Sequence, residues 1–311
     1  MWNSSKDSEF VLSGLTDKPS IQILLFVLFL LFYVVTLVAN IGILVICGVD
    51  SHLQTPMYFF IKNLSFLDIC YSTIITPKTL ASFFAGGNII SYTECILQMY
   101  LYGASVTIEC FLLGIMAYDR YVAICNPLLY FILMNNRVCW QLMGVAYFGG
   151  YVNAAIHTTC TFQLPFCRSH TIDHFFCDVP PLLKLSCKDT TINELVMFIF
   201  GGFAEMSSLV TVSLSYSSII STILRIPSQQ GRKKAFSTCA SHLMVVAIFY
   251  GTIVFMYLRP SSSYSLSQDR IASVFYTVII PMLNPLIYSL RNKDVARALG
   301  KIKANILSKW L

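Results

Sequence analysis

Long runs of apolar residues, separated by short polar gaps, fill most of the chain from residue 21 to residue 290. Each run is long enough to cross the hydrocarbon core of a bilayer, which takes roughly 20 residues of α-helix. Helix-breaking residues fall in the gaps: Pro56, Pro127, Pro227, Pro260 and the pair Gln230-Gly231. The pattern predicts seven spans, at 21–48, 57–84, 94–125, 139–162, 192–224, 235–258 and 270–290.

The third span, 94–125, carries a carboxylate in its middle and an arginine close to its end. Glu109 precedes Arg120 by eleven residues, which at 100° per residue is three turns plus about 20°, so both lie on one face. A carboxylate at mid-membrane depth faces the interior of a bundle rather than lipid. This face, which includes Tyr102 and Val106, is therefore predicted to line the inside of a helix bundle.

The composition agrees with a membrane protein, since 56% of the 311 residues are hydrophobic and only 12% are charged. Soluble domains carry about 25% charged residues, so an ordinary globular protein is excluded. We predict one membrane domain at 21–290, an extracellular tail at 1–20 and a cytoplasmic segment at 291–311. Residues 292–302 alternate apolar and basic residues at helical spacing, which predicts a short amphipathic helix on the inner leaflet. A disordered tail is the alternative.

The formal net charge of +6 indicates membrane topology rather than a nucleic-acid partner, because the basic residues lie in short gaps between spans. Gaps on the side of Arg120 hold twelve Lys and Arg residues, and those on the opposite side hold seven. Positive charge marks the cytoplasmic side, so we expect Arg120 at the cytoplasm and the N-terminus outside. Asn3, in an Asn-Ser-Ser triplet, is then a candidate for glycosylation.

Four of the eleven cysteines lie at or beyond the external ends of the predicted spans: Cys95, Cys167, Cys177 and Cys187. The external compartment is oxidising, which favours disulfides there. Four cysteines allow three pairings, and the sequence alone does not choose among them.

Several short motifs occur together along the chain. The longest, Met-Ala-Tyr-Asp-Arg-Tyr-Val-Ala-Ile-Cys, occupies 116–125. The others are Pro-Met-Tyr-Phe-Phe at 56–60, Leu-Ser-Phe-Leu-Asp at 64–68, Ser-Tyr at 215–216, Lys-Ala-Phe-Ser-Thr-Cys-Ala-Ser-His-Leu at 234–243 and Pro-Met-Leu-Asn-Pro-Leu-Ile-Tyr-Ser at 281–289. Taken in their order along the chain, these motifs resemble the landmarks of the odorant receptors, a branch of the rhodopsin-like G-protein-coupled receptors. His-Phe-Phe-Cys-Asp at 174–178 resembles their tetrapod-type (class II) branch, whereas Ala39 replaces a glycine that the family usually has.

The resemblance implies an all-α membrane protein, a seven-transmembrane helix bundle with a short amphipathic C-terminal helix. It implies a plasma-membrane receptor that binds small, mostly apolar volatile odorants in the extracellular half of the bundle. The receptor would activate a stimulatory, olfactory Gs-type G-protein and so raise cAMP. The resemblance also implies disulfides Cys95–Cys177 and Cys167–Cys187, which would hold a lid over the ligand.

By the same resemblance, the ligand pocket lies between the third, fifth, sixth and seventh helices. Its positions are mostly apolar, with a few hydroxyls and no carboxylate that could hold a cation. A small neutral ligand oriented by one or two hydrogen bonds fits such a pocket best, although each position is alternatively an ordinary core residue. The implied ligand-binding residues are Tyr102, Gly103, Val106, Thr107, Met197, Phe200, Gly201, Ala204, Ile253, Tyr257, Val274 and Thr277.

The resemblance further implies a switch at the cytoplasmic end. Pro281 and Pro285 each remove a backbone donor, so the seventh helix should kink there, and Tyr216 is expected to move toward Arg120 in the active state. The implied switch residues are Tyr216, Tyr250, Asn284, Pro285 and Tyr288. The implied G-protein-coupling residues are Asp119, Arg120, Tyr121, Arg232, Lys233 and Lys234.

Asp68 and Glu109 lie at similar depth in the second and third spans, and the resemblance places Asn284 beside them. Two buried carboxylates without a cation are costly, so either a sodium ion binds there or one carboxyl group is protonated. No other cofactor is expected.

Two other ionisable residues lie within predicted spans. Glu205, one turn after Gly201, either hydrogen-bonds to the third or sixth helix, which we favour, or contacts the ligand directly. His157 is expected to be a satisfied core histidine rather than a ligand contact.

Two other classes of membrane protein are disfavoured. A transporter would be expected to contain internal repeats or matching interrupted helices, and none is detectable in the sequence. An intramembrane enzyme would need a motif such as His-Glu-x-x-His or an aspartate in a Gly-x-Gly-Asp context, and neither occurs. The sequence therefore predicts a receptor and not an enzyme.

Overall fold

The computed structural model describes residues 9–16, 18–84, 89–167, 169–257 and 266–290, together with Val295 and Arg297. It describes the backbone alone at 234, 237–238, 253–257, 266–269 and 289–290. The predicted C-terminal amphipathic helix lies almost wholly outside these residues, and so does the glycosylation triplet at Asn3.

Seven long helices run through the described residues, which confirms the predicted seven-helix bundle. They are α1 (Pro19–Val49), α2 (Pro56–Ser82), α3 (Tyr92–Cys125), α4 (Asn136–Phe162), α5 (Thr191–Leu224), α6 (Gln229–Tyr257) and α7 (266–290). The largest departure from the prediction is at α6, which begins at Gln229 rather than at Ala235. The pair Gln230-Gly231 therefore lies in the first turn of α6 and not in a gap.

Four stretches of the described helices are, by length and composition, apolar enough to cross a membrane: Pro19–Val49, Tyr92–Cys125, Thr191–Leu224 and Arg270–Tyr288. The helices α2, α4 and α6 are similarly long, with 27, 27 and 29 residues. Their inward faces carry polar side chains such as Asp68 of α2 and His242 of α6, which are 1% and 0% exposed. A bundle can contain such groups because neighbouring helices supply their partners.

Helix α3 is the centre of the bundle. In its most apolar stretch 61% of the residues are buried, against 11% for α1. Its most extensive contacts are with α4 and α5, and it also packs on α2 and α6. Small residues permit this close packing, since Gly150 on α4 lies directly against Ala104 and Ile108 of α3.

The start of α3 is fixed by a capping box. The Ser91 hydroxyl accepts a 3.2 Å hydrogen bond from the backbone N–H of Glu94, and the Glu94 carboxylate accepts a 3.0 Å bond from the backbone N–H of Ser91. Two backbone donors that the helix cannot satisfy are thereby paired. The cap places Cys95 in the first turn of α3, where it is completely buried.

Two of the long helices contain a π-helical turn, in α5 at Met197–Gly201 and in α7 at Phe275–Ile279. Such turns shift the register of the residues that follow and are frequent at functional sites. Within α7 the π turn lies directly before the Pro281–Pro285 segment that the sequence predicts to be irregular. Both turns lie in the half of the bundle that contains the predicted ligand positions.

A small β-sheet, which the sequence analysis did not predict, covers one end of the bundle. Its central strand is β1 (Glu9–Leu12), which pairs antiparallel with β2 (Ile89–Ser91) and parallel with β3 (Thr171–Ile172). We define the lid as β1, β2 and residues 169–187, which include β3 and the short helix Val179–Leu183. Its inner side packs Phe10 and Ile172 into a buried cluster with Cys95.

The opposite end of the bundle has only short connections. A 3₁₀ turn at Ser51–Leu53 joins α1 to α2. A second 3₁₀ turn at Pro127–Leu129 and the one-turn helix Tyr130–Leu133 join α3 to α4.

Two glycines of α4 test the contact between α3 and α4. A Cβ atom on Gly150 would overlap the side chain of Ile108 and lie 3.0 Å from the Ala104 carbonyl oxygen, whereas a Cβ atom on Gly144 meets nothing within 4 Å. We expect Gly150→Ala to destabilise the protein by about 1–3 kcal/mol through overpacking. Gly144→Ala should be neutral or stabilising because alanine favours a helix by about 1 kcal/mol. Thermal unfolding of the purified protein measures both, and equal stabilities would contradict this close contact.

Candidate functional site

Two disulfides anchor the lid. Cys95 on α3 is joined to Cys177, and Cys167 is joined to Cys187, with Cα–Cα distances of 5.5 and 5.8 Å. These are the two pairs that the family resemblance implies. The bond from α3 to Cys177 keeps the loop 169–187 over the end of the bundle.

The lid inserts aromatic side chains into the bundle. Phe175 and Phe176 are 3% and 0% exposed. The ring of Phe176 lies edge-on to Tyr102 at a centroid distance of 5.0 Å, and Tyr102 in turn lies 5.4 Å from the ring of Tyr71. In this conformation the lid therefore fills the space next to Tyr102, the uppermost of the predicted ligand-binding residues on α3.

A polar clamp ties the lid to α7. The Arg270 guanidinium forms an ion pair with Asp173 and donates a 2.9 Å hydrogen bond to the carbonyl oxygen of Gly14. The next lid residue, His174, is 2.9 Å from the hydroxyl oxygen of Ser273. Burial, reinforced by the positive charge of Arg270, lowers the pKa of His174 to about 3, so its ring is neutral at physiological pH.

The predicted ligand-binding residues do not share one environment. Tyr102, Val106 and Val274 lie in one aromatic cluster with Phe175 and Phe176. Phe200 is 43% exposed and lies on the outer surface of α5, so the structure does not bring it together with the others. The side chains of Ile253 and Tyr257 lie outside the described residues.

Three of the predicted ligand positions face α4, which the resemblance does not include in the pocket. Gly103 faces Ala154, since a Cβ atom added to Gly103 would lie 3.8 Å from the alanine Cβ. Thr107 accepts a 2.9 Å hydrogen bond from the Asn153 side chain. Gly201 faces His157, since a Cβ atom added to Gly201 would lie 3.9 Å from the histidine Nε2. Of the remaining positions, Ala204 and Thr277 are buried and Met197 is half-buried.

Two of the cavities that described residues form have no predicted ligand-binding residue in their lining. One, of about 540 Å³, lies between α6 and α7 and is lined by Ala247, Ile248, Gly251, Thr252, Ile271, Ala272 and Phe275. The other, of about 330 Å³, lies between α3, α4 and α5 and includes Gly114, Gly149, Ser207 and Ser208 among its lining residues.

A buried polar core joins three helices at the middle of the bundle. The Asn284 side-chain amide on α7 donates hydrogen bonds of 3.1 Å to Asp68 on α2 and 3.3 Å to Glu109 on α3. All three residues are at most 5% exposed. The second carboxyl oxygen of Asp68 has no hydrogen-bond partner among the described residues, so one acceptor of this core is left for a further donor or a cation.

Two hydrogen-bond chains connect α3 to α5 and α6. The Tyr250 hydroxyl on α6 donates a 2.6 Å bond to Ser208 on α5, whose own hydroxyl donates to the carbonyl oxygen of Cys110 on α3. In the second chain, His242 on α6 lies 2.7 Å from the Tyr216 hydroxyl and 3.2 Å from the carbonyl oxygen of Leu113. Because a carbonyl only accepts, the histidine Nε2 donates there and Nδ1 accepts from Tyr216.

The far end of α3 carries a second polar group, which we call the latch: Asp119, Arg120 and Tyr130. Arg120 forms an ion pair with the adjacent Asp119, and the two side chains are 9% and 1% exposed. Asp119 also accepts a 2.8 Å hydrogen bond from the Tyr130 hydroxyl in the loop. Burial and the Asp119 charge raise the pKa of Tyr130, so the hydroxyl stays protonated and donates.

The other predicted switch residues are arranged around the latch. Tyr216 is bonded to His242 rather than directed at Arg120, and Tyr288 is 2% exposed with a hydroxyl that has no partner among the described residues. Pro285 lies inside α7. Tyr121 is half-buried, Arg232 and Lys233 are exposed near the start of α6, and the side chain of Lys234 is not described.

Sequence reasoning missed three residues that organise these groups: Tyr130, His242 and Arg270. A signal existed for His242, because a histidine in an apolar run requires a partner. The contacts of Tyr130 and Arg270 depend on how the loops fold back on the bundle, and the local sequence pattern contains no sign of them.

Comparisons with known proteins agree with the motifs. The family model described as "Olfactory receptor" matches residues 29–306. The chain is 54% identical to Olfactory receptor 5AP2 of Mus musculus over 303 residues, which cover 97% of this chain and 96% of that protein. It is also 54% identical to Olfactory receptor 5AP2 of Homo sapiens, over 96% and 95% of the two chains. Identity to Olfactory receptor-like protein COR5 of Gallus gallus is 53%, over 97% of each chain.

The family model matches most of the chain, and the sequence identity to these relatives exceeds 50% over nearly its whole length. Both findings assign the chain to the same family. The seven-helix bundle, the lid with its two disulfides and the latch are consistent with it. This chain therefore belongs to the olfactory receptor family, whose members are G-protein-coupled odorant receptors and not enzymes.

Proposed function

We propose that this odorant receptor resides in the plasma membrane with its N-terminus and lid outside the cell. It binds small, mostly apolar volatile ligands beneath the lid and activates a stimulatory, olfactory Gs-type G-protein, which raises cAMP. The observation that carries the proposal is the geometry of α3, whose one end lies under the lid and whose other end carries the latch. A ligand at the first end can thus act on a partner surface at the second.

The orientation is supported by charge and by chemistry. Arg232 and Lys233 are exposed at the latch end, and basic residues favour the cytoplasmic side. Both disulfides lie at the lid end, which suits an oxidising exterior. We place residues 1–20 outside, 21–290 in the bilayer and 291–311 in the cytoplasm.

A lipid bilayer is the proposed surrounding medium. The outward face of α1 exposes a continuous set of large apolar side chains, including Ile23, Leu24, Val27, Leu31 and Val38, each more than half exposed. In water such a patch would drive aggregation, and in lipid it needs no partner.

Activation follows from a shift between two packings of the helices. A ligand moves this equilibrium only by the difference in its affinity for the two states, and a nearly complete shift takes about 5.5 kcal/mol. The chain from Tyr216 through His242 to Leu113 holds α5 and α6 on α3 in the packing described here. Movement of α6 away from α3 breaks this chain, exposes Arg120 and releases Tyr216 to approach it.

We also propose that the polar core binds a sodium ion. Asp68 and Glu109 supply two buried carboxyl groups, and one Asp68 oxygen has no partner, which fits a small monovalent cation bound by oxygen atoms. The ion would offset the negative charge of the two carboxylates and stabilise the packing that contains them together.

The coupling proposal is tested at Arg120. We expect Arg120→Ala to reduce the odorant-dependent rise in cAMP to that of untransfected cells at matched surface expression, because it removes the charge that the G-protein would contact. Arg137→Ala, an exposed arginine on the first turn of α4 at the same end, is the matched control and should respond like wild type. An undiminished response of Arg120→Ala would refute the proposed coupling surface.

The latch is tested at Tyr130. Tyr130→Phe removes one hydrogen bond to Asp119, and such a bond contributes about 0.5–1.5 kcal/mol. We expect ligand-free cAMP to rise by up to about tenfold, since 1.4 kcal/mol corresponds to a factor of ten. Tyr151→Phe on α4 is the control and should leave ligand-free cAMP unchanged. A fall in basal activity would mean that Tyr130 supports the active packing instead.

The sodium proposal is tested by thermal unfolding of purified receptor in sodium chloride and in choline chloride at equal ionic strength. A ligand that binds only the folded state raises its stability, so we expect wild type to unfold at a higher temperature in sodium. Asp68→Asn should abolish the difference, and Asp189→Asn, in an exposed loop, should retain it. Equal unfolding temperatures of wild type in the two salts would favour a protonated carboxyl group at this core.

A further inference from the structure

Glu205 is an ionisable residue on the inward face of α5. It shares this face with Ser208 and Val212, which are 3% and 5% exposed, and lies opposite Phe203, which is 72% exposed to the surroundings of the bundle. Ser208, about one turn further along this face, is hydrogen-bonded to the Cys110 carbonyl oxygen of α3 and to the Tyr250 hydroxyl of α6. The carboxyl group therefore projects between α3, α5 and α6 and not toward lipid.

No hydrogen bond or ion pair holds the Glu205 carboxyl group within the described part of the chain. The polar groups nearest to it are already paired with each other, since Tyr250 donates to Ser208 and Ser208 donates to Cys110. The side chain is also only half-buried, although its neighbours on the same face are buried. An ionisable group left without a partner inside a membrane bundle is costly, and this cost is a sign of function.

We propose that Glu205 is the polar anchor of the ligand site and that the ligands it selects are neutral molecules with a hydroxyl or carbonyl oxygen. This proposal rests on the proposed odorant-binding function and specifies the ligand class. The anchor lies one turn after the π-helical turn Met197–Gly201 and directly beyond Ala204, a predicted ligand-binding residue.

The chemistry of the anchor distinguishes between ligand classes. With no cationic partner in the described surroundings, the neutral form of the carboxyl group is favoured, and it offers one O–H donor and one carbonyl acceptor. An alcohol can satisfy either group with one hydrogen bond, and a ketone can accept a hydrogen bond from the O–H donor. A primary ammonium brings three N–H donors, and a single carboxyl group cannot satisfy them in apolar surroundings.

The position of Glu205 also allows a bound ligand to affect the packing of α3, α5 and α6. The chain Tyr250–Ser208–Cys110 connects α6, α5 and α3 next to Glu205. A ligand bound to Glu205 occupies space beside this chain, so it can favour one packing of the three helices over the other. Recognition of the ligand oxygen and activation are then linked through adjacent residues of α5.

The test measures ligand binding without a G-protein. Purified receptor in lipid nanodiscs is titrated with four pools of volatile compounds of matched chain length, namely alcohols, ketones, primary amines and alkanes, and its thermal unfolding is followed. The variants are Glu205→Leu, which removes the polar head, and Glu205→Gln, which keeps one donor and one acceptor. Glu205→Met is a second apolar variant of similar length. Glu194→Leu, an exposed carboxylate on the same helix, is the control.

We expect alcohols and ketones to stabilise wild type, Glu194→Leu and Glu205→Gln. Glu205→Leu and Glu205→Met should lose about tenfold in affinity for these pools, as expected for one lost hydrogen bond. Both apolar variants should unfold at the same or a higher temperature than wild type without ligand, because they remove an unpaired polar group. A structural hydrogen bond of Glu205 would predict the opposite change in ligand-free stability.

Three results would overturn the proposal. The first is that both apolar variants bind alcohols and ketones with unchanged affinity. The second is that only amines or only alkanes stabilise wild type. The third is that no pool stabilises folded wild type. Failure of the coupling proposal gives a different result, in which oxygen-bearing ligands bind and depend on Glu205 while cAMP does not rise. The two proposals can therefore fail separately.

Discussion

The interior of a bilayer contains no water, and this constraint organises the polar contacts of the receptor. Several hydrogen bonds on the inward face of α3 are therefore made with other helices. Asn284 on α7 bridges Glu109 to Asp68, while Ser208 and His242 bond to backbone carbonyls of α3. These bonds are strong because their surroundings are apolar. Helix α3 is thus both the most buried element and the one to which the other helices are tied.

The same constraint explains how the bundle can change its packing. A hydrogen bond lost inside a membrane leaves two unpaired groups, so a movement is tolerable only when each group finds a new partner. In the activation that we propose, Tyr216, which is bonded to His242 here, gains Arg120 as its second partner when α6 moves. Glu205 has no hydrogen-bond partner among the described residues in this packing, and the Tyr288 hydroxyl and one oxygen of Asp68 share this property. In our proposal, a ligand oxygen supplies the partner of Glu205 from outside the chain.

The seven helices and their approximate ends were predictable because an apolar run of this length has one stable form in lipid. The disulfide pairs followed from family resemblance and not from spacing. The sheet of the lid was not predictable, since β1 has four residues in a polar tail and its partners lie far away in sequence. The outward position of Phe200 and the α4-facing positions of Gly103 and Thr107 depend on helix rotation. An apolar pattern alone fixes this rotation poorly in membrane proteins, because both lipid and protein interior accept apolar residues.

The place of β1 in the sheet has a consequence for how the protein is made. This strand is synthesised first, but its partners β2 and β3 emerge only after α2 and α4, and the Arg270 contact to Gly14 emerges with α7. The strand β1 therefore waits unpaired until β2 and then β3 have been synthesised, and the contact of Gly14 with Arg270 forms only after α7 has begun. Closure of the sheet therefore reports that α1 to α4 have been made, and the contact of Arg270 with Gly14 reports that α7 has reached the lid. In the secretory pathway, an exposed β1 edge would mark a receptor whose assembly is incomplete.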